Sequence, residues 1–268
     1  MKSLLKRIGG LALVLVLTAC ATSPTGRSQL MLVSEESAIN ASKTAYTEML
    51  KPFEEEGKLD NDPKLKARVE RITGRLIAQA IVMRPETKDW EWSIRIIDDP
   101  ETVNAWAMAG GKMALYTGLI EKVEPTDDEL AQVLGHEISH ALAKHTAEKM
   151  SVAMATQLGV LAVAASTDKQ GAVAGAVLAA QLAVTLPNSR TAESEADRIG
   201  IELAAKAGYD PQAAATLWRK MAKVSGNGPP QFLSTHPSPA NREETLGRLA
   251  QEMMPYYQAK GERPSYKF

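Results

Sequence analysis

The sequence predicts an α+β fold, mainly helical with one small antiparallel sheet, and three observations carry that expectation. Apolar residues recur at helical spacing through much of the 268-residue chain, as in Leu65, Val69, Ile72, Leu76 and Ala80. From Trp90 the period changes to two: Trp90, Trp92, Ile94 and Ile96 fall on one side and Glu91, Ser93 and Arg95 on the other, which describes a half-buried strand. The apolar runs 103–108 and 113–117 are then parted by Ala109, Gly110, Gly111 and Lys112, a hairpin signal. With 44% hydrophobic and 24% charged residues, the composition is that of a globular chain with material for one main domain.

At the N-terminus, Lys2, Lys6 and Arg7 form a positive region, residues 8–17 an apolar one, and a small-residue site follows. This is the pattern of an export signal over residues 1–19, with an apolar stretch too short to span a bilayer. It runs into LTAC at residues 17–20, which looks like the lipobox of bacterial lipoproteins. That resemblance implies lipidation of Cys20, and Ala21 after it resembles lipoproteins sorted to the outer membrane, facing the periplasm. Cys20 is the single cysteine, so the chain forms no internal disulfide. The polar, turn-rich stretch ATSPTGRSQ places a lipidated tether over residues 20–33, before a main domain at 34–255 and a C-terminal tail at 256–268.

A helix is expected from near Ser34 toward Leu50, and Asn61, Asp62 and Pro63 offer caps for the next. The central helix opens at Thr126, where Thr126 and Glu129 make a capping box, and its apolar positions Leu130, Val133, Leu134, Ile138 and Leu142 carry the pattern past Lys144. Residues 151–186 read as an apolar helical hairpin whose arms fall short of the roughly 20 residues a spanning helix needs. Its Gly171 and Gly175 match a GxxxG pattern that close packing explains in so alanine-rich a segment. Further helices are expected from about Arg190 to Ala207, after Asp210 and Pro211, and, beyond the loop SGNGPP, after Ser238 and Pro239. The formal net charge of -1, with no block of lysine or arginine, excludes nucleic acid as a partner.

The central helix carries GHEISHALAKH, with three of the chain's 4 histidines. On a helix, His136 and His140 lie roughly 40° apart around the axis and about 6 Å apart along it, so both rings can reach one ion. Glu137 is rotated roughly 100° from His136, outside that coordination shell yet within reach of a water held there. HExxH on a helix is thus a zinc pair with a general base beside it, since zinc lowers the pKa of water from about 15.7 to about 7. His145, roughly 180° from His136 on the same expected helix, reads as a structural histidine.

A catalytic zinc needs a third protein ligand, and His145, His236 or a carboxylate could supply it. In RTAESEAD, Glu193 and Asp197 stack on one helix face, with Glu195 roughly 160° from Glu193. Glu193 fits the ligand and Asp197 the group that orients a ligand histidine, His136 first among them. Together GHEISHALAKH, RTAESEAD and STHPSPANR resemble the Ste/Oma/HtpX family of zinc endopeptidases, peptidase family M forty-eight, over most of residues 60–250. The likeness is greatest to its bacterial lipoprotein and periplasmic branch around LoiP and BepA.

The resemblance implies a zincin-type, gluzincin-like domain holding one Zn2+ through His136, His140 and Glu193, with Glu137 catalytic. It also implies that NAWAMAGGKMALYTGL borders the cleft, and that unfolded or misassembled envelope proteins are the substrates. Processing of prenylated proteins inside a bilayer is not carried over, because the chain shows no convincing spanning helix. His236 has two functional readings, donor to the developing oxyanion or removable fourth ligand, beside that of an ordinary loop histidine. Arg190 and Arg242 are candidates for support behind the ligands, with surface salt bridges as the simpler role. The competing function is a zinc-stabilised periplasmic chaperone or outer-membrane assembly factor with little proteolysis. The carboxylate of Glu137 beside an open metal position favours hydrolysis.

Overall fold

The computed structural model describes residues 20–166, 170–180, 186–224, 231–236 and 241–268. The expected export signal, the loop SGNGPP and the expected start of the last helix at Ser238 and Pro239 lie outside the described residues. The chain begins with a small antiparallel hairpin, β1 (Cys20–Thr22) and β2 (Ser28–Leu30), in which Cys20 pairs with Leu30. Two long helices follow, α1 (Glu35–Glu55) and α2 (Pro63–Met83). Ser34 caps α1 by accepting from Ser37 N, and Asp62 caps α2 by accepting from Lys64 N and Leu65 N, with Pro63 in the first turn where its missing N–H costs nothing.

Three strands form the main sheet, β3 (Ser93–Ile97), β4 (Ala105–Met108) and β5 (Lys112–Tyr116), in the order β3-β5-β4. The expected hairpin is present: β4 and β5 are antiparallel, and Gly110 and Gly111 turn between them at φ 78° and 75°. A Cβ on Gly111 would lie 2.3 Å from the Trp92 ring, so that position needs glycine for both its backbone and its space. The sheet is mixed, however, not antiparallel throughout. β3 runs parallel to β5 because residues 98–104 carry the chain past the position β5 later fills. Alternation in β3 reveals which face is buried but says nothing of the direction of its neighbour. Among the described residues, one edge of β4 has no strand partner.

Beyond the sheet come α3 (Thr117–Val123), α4 (Asp127–Leu142), α5 (His145–Ser166), α6 (Gln170–Ala180), α7 (Leu186–Lys206), α8 (Ala213–Lys223), the short α9 (Gln231–Thr235) and α10 (Arg242–Gln258). The capping box at the start of α4 is formed in both directions by Thr126 and Glu129. Every α4 residue from Glu129 to Leu142 is buried, because α2, α7, α8 and β4 close around it. Ile72, Leu76, Leu115, Leu119, Leu130, Leu134, Ile138 and Leu142 fill the main core between these elements.

Four expectations are corrected. Helix α4 does not continue past Lys144: it ends at Leu142, Lys144 adopts φ 59°, and α5 starts afresh at His145. No glycine marks this stop, and the freed carbonyls are taken by side chains from elsewhere, Arg84 Nη1 on Leu142 O at 2.6 Å and Gln29 Nε2 on Ala143 O at 2.7 Å. Residues 20–33 are no loose tether, because Ser23 and Gln29 are buried and Arg27 pairs with Glu148 of α5 and Glu195 of α7. The tail beyond Gln258 is docked, with Arg263 Nη1 on Lys206 O at 2.6 Å and Tyr266 N on Gly74 O at 2.8 Å. Finally, α5 at 22 residues is long and apolar enough to cross a membrane, with 11% of its most apolar window buried. The new helix start at His145 adds the turns that the sequence pattern assigned to α4.

Candidate metal centre

His136 and His140 sit one turn apart on α4, with Nε2 atoms 3.1 Å apart. Across from them α7 brings in Glu193, whose Oε2 is 3.2 Å from His136 Nε2 and whose Oε1 is 3.7 Å from His140 Nε2. The two helices can approach this closely because they meet at glycines. A Cβ on Gly135 would lie 2.8 Å from Gly200 O, and one on Gly200 would lie 2.7 Å from His136 N. His236, just after α9, completes the group: its Nδ1 is 3.0 Å from Glu193 Oε2 and 3.2 Å from His136 Nε2. One donor atom from each of the four lies within 4.8 Å of all the others, and all four residues are buried.

The chemistry of this donor set fits zinc. Two imidazoles and a carboxylate are its usual catalytic ligands, and Glu193 Oε1 is buried without a hydrogen bond. Burial works against an ionised Glu193, yet hydrogen bonds and charge from His136 and His236 hold it well below the usual carboxylate range. Burial likewise disfavours a charged His136, but the Asp197 and Glu193 carboxylates outweigh it and raise its pKa to about 9. His140 lacks such compensation, so burial pushes it well down.

Support for His136 comes from behind. Asp197 Oδ1 faces His136 Nδ1 at 3.0 Å, which turns Nε2 toward the cluster, and Arg242 Nη2 donates to the same Asp197 oxygen at 2.6 Å. Arg242 is 4% exposed, and its guanidinium lies over the Trp218 ring at 4.1 Å. The surface salt bridge expected of it is therefore corrected. Arg190 is exposed, and seven residues of helix place it about 10 Å along the axis from Asp197, beyond hydrogen-bond reach.

Glu137 stands beside the donors. Its Oε2 accepts from Ala107 N of β4 at 3.1 Å, and its Oε1, buried with no hydrogen bond, faces His236 Nε2 at 3.3 Å. Burial pushes its pKa up, which is the direction a general base near neutral pH requires. A cleft of about 270 Å³ opens here, lined by Trp106 and Ala107 on the β4 side and Thr146, Lys149 and Thr235 opposite.

His145 stays outside the four-donor group, though not for the expected reason. It belongs to α5, and it touches His140 from behind, Nδ1 to Nδ1 at 2.8 Å. The sequence reading also missed Ser23, Thr25, Arg27, Gln29, Glu148 and Glu195, which gather around His145. Glu195 does face away from Glu193, but into the protein, at 5% exposure. No local pattern flags these residues, because Arg27 lies 168 positions from Glu195 and 121 from Glu148, and His145 lies 50 from Glu195.

Histidines one turn apart on a buried helix, a carboxylate from a second helix and a glutamate base define a zinc metallopeptidase of the HExxH class. The chain belongs to Peptidase family M48, whose pattern matches residues 63–250. It is 36% identical over 261 residues to the mitochondrial metalloendopeptidase OMA1 of Bos taurus, covering 91% of this chain and 49% of that protein. Its identity to the mitochondrial metalloendopeptidase OMA1 of Schizosaccharomyces pombe is 37% over 196 residues, covering 72% of this chain and 54% of that one. To the beta-barrel assembly-enhancing protease of Yersinia pestis it is 31% identical over 206 residues, covering 73% and 41%. The chain thus spans about half the length, or less, of these relatives. Zinc is the metal of this family, and proteins are its substrates.

Proposed function

We propose that this chain is a zinc-dependent endopeptidase that cleaves misfolded or unassembled proteins of the bacterial envelope while held at the periplasmic face of the outer membrane by a lipid on Cys20. The observation that carries the catalytic part is the convergence of His136, His140 and Glu193 with a buried, unbonded carboxylate oxygen of Glu137 beside them. His136, His140 and Glu193 hold the zinc, which when bound supplies a Lewis acid that makes water acidic enough to ionise near neutral pH. Glu137, oriented by the Ala107 N–H, takes the proton from the attacking water and passes it to the departing amine. Asp197 and Arg242 keep His136 turned toward the metal.

His236 acts as a fourth donor in this conformation, since its Nδ1 lies among the ligand atoms. It must swing out for substrate to bind, which makes the resting enzyme latent. The free edge of β4 lies along the cleft, so an extended polypeptide can pair with it through its main chain, a mode with little side-chain preference. That suits unfolded proteins, and the likeness to a beta-barrel assembly-enhancing protease supports a role beside barrel assembly. The envelope location rests on the signal pattern and LTAC.

The deciding experiment compares the parent chain with Glu137→Gln on casein, with zinc content measured for both. Equal zinc and a loss of cleavage by at least about 100-fold are expected. Cleavage by both at the same rate removes this mechanism. A proline at Ala105 in β4 is expected to cut cleavage while leaving zinc content unchanged, and full cleavage by that variant removes the strand-pairing mode.

A further inference from the structure

His140 is joined to the N-terminal hairpin by a buried chain of polar groups that the mechanism above does not use. His140 Nδ1 meets His145 Nδ1 at 2.8 Å, and His145 Nε2 meets Glu195 Oε2 at 3.1 Å. Glu195 also receives Arg27 Nε at 2.8 Å and the hydroxyls of Ser23 and Thr25. Arg27 forks onto Glu148 with bonds of 2.7 and 2.6 Å, and Gln29 Nε2 donates to the same carboxylate at 2.8 Å. His145, Glu148, Gln29 and Glu195 are 1%, 1%, 2% and 5% exposed, so water has little access to the two carboxylates, while Arg27 at 19% is half-buried at their edge.

Valence fixes where the protons lie. A histidine that binds metal through Nε2 must carry its proton on Nδ1, so His140 donates and His145 Nδ1 accepts. His145 then carries its own proton on Nε2, where the Glu195 carboxylate takes the hydrogen bond. Glu195 can remain a carboxylate in so dry a place because Arg27, Ser23 and Thr25 surround it with donors. For His136 one carboxylate, Asp197, does directly what this chain does for His140 in two steps.

We propose that His145 and Glu195, clamped by Ser23, Thr25 and Arg27 of the β1–β2 hairpin, are positioning residues that hold His140 in the tautomer and orientation required of a metal ligand. The N-terminal segment is then a working part of the metal centre. This inference rests on the zinc reading of the site.

The test measures zinc affinity of the full chain by chelator competition, with the absorption spectrum of bound cobalt(II) as a second readout of ligand geometry. Glu195→Gln and His145→Leu are expected to weaken zinc binding about 10–100-fold and to alter the cobalt spectrum. His145→Gln, whose amide can accept from His140 and donate to Glu195, is expected to recover most of the affinity. If folded Leu and Gln variants bind zinc as tightly as the parent, or are equally weakened, the positioning role is wrong. Should His145→Leu fail to fold, the Ser23→Ala, Thr25→Val double variant is expected to weaken zinc several-fold, and unchanged affinity there overturns the inference. A parent chain that binds no zinc removes the metal reading and this inference together, whereas tight parent binding with unaffected variants removes the inference alone.

Discussion

Two residues behind and beside the donors separate positioning from chemistry. Of the four donor residues Asp197 bonds only His136, at Nδ1, so Asp197→Asn keeps the shape of the site but lets the amide present a donor where the ring must donate. Zinc affinity is expected to fall about 10–100-fold, measured by chelator competition. His236 is expected to behave in the opposite sense. On the proposed reading, its Nδ1, 3.2 Å from His136 Nε2, would close the fourth position of a bound zinc, and His236→Ala should raise the basal rate of casein cleavage. A fall of about 100-fold or more would instead assign it to the oxyanion. His136, His140 and Glu193 were legible in the sequence because their helices display them at fixed angles, whereas the role of His236, in a loop, was left open between three readings. Arg242 was not legible, because the burial of an arginine in a short loop-to-helix junction depends on what lies opposite, here Asp197 and Trp218.

At the level of elements, the site depends on how α4 begins and on how near α7 comes to it. Glu129 closes the capping box and also receives Lys220 Nζ at 2.7 Å and Thr216 Oγ1 at 2.9 Å. Burial opposes its ionisation, but Lys220, the Thr126 N–H and Thr216 prevail and hold its pKa below the ordinary value of 4.5. A carboxylate depressed in the folded state contributes stability that is present above its unfolded pKa and is lost as pH falls through the folded one. Glu129→Gln should therefore cost about 1 kcal/mol near pH 7, with the difference from the parent shrinking below about pH 4.5, as followed by urea unfolding.

The contact between α4 and α7 has no such polar signature. Gly200→Ala pushes its methyl onto the His136 backbone, and a loss of about 1–3 kcal/mol is expected in thermal unfolding, together with weaker zinc binding as Glu193 is displaced. The long helices α1, α2, α4 and α7, the caps at Ser34, Asp62 and Thr126 and the β4–β5 hairpin could be read from spacing, while the short α3 and α9 could not. The parallel partner of β3 and the break at Lys144 could not, since a strand pattern carries no direction and the left-handed turn at Lys144 uses no glycine.

For the molecule as a whole, the apolar surface is uneven. Met154, Leu158 and Leu161 on α5 and Leu178 on α6 are 44%, 60%, 57% and 58% exposed. A helix apolar on all sides without a core around it associates with whatever apolar surface is at hand. In detergent-free buffer the chain is expected to self-associate, and Leu158→Ser with Leu161→Ser to shift light scattering toward smaller species while casein cleavage is retained. Undiminished association would place the responsible surface elsewhere. The composition announced an apolar segment, but only the packing shows which of its side chains are left uncovered.

The pairing of Cys20 with Leu30 has a mechanical consequence. On the proposed lipidation, an acyl group at this position would be joined to a paired strand, with no rope between bilayer and protease. The cleft could then sweep only the thin layer of the envelope that its own girth allows, which would confine digestion to clients stranded at the lipid surface and spare those diffusing farther out.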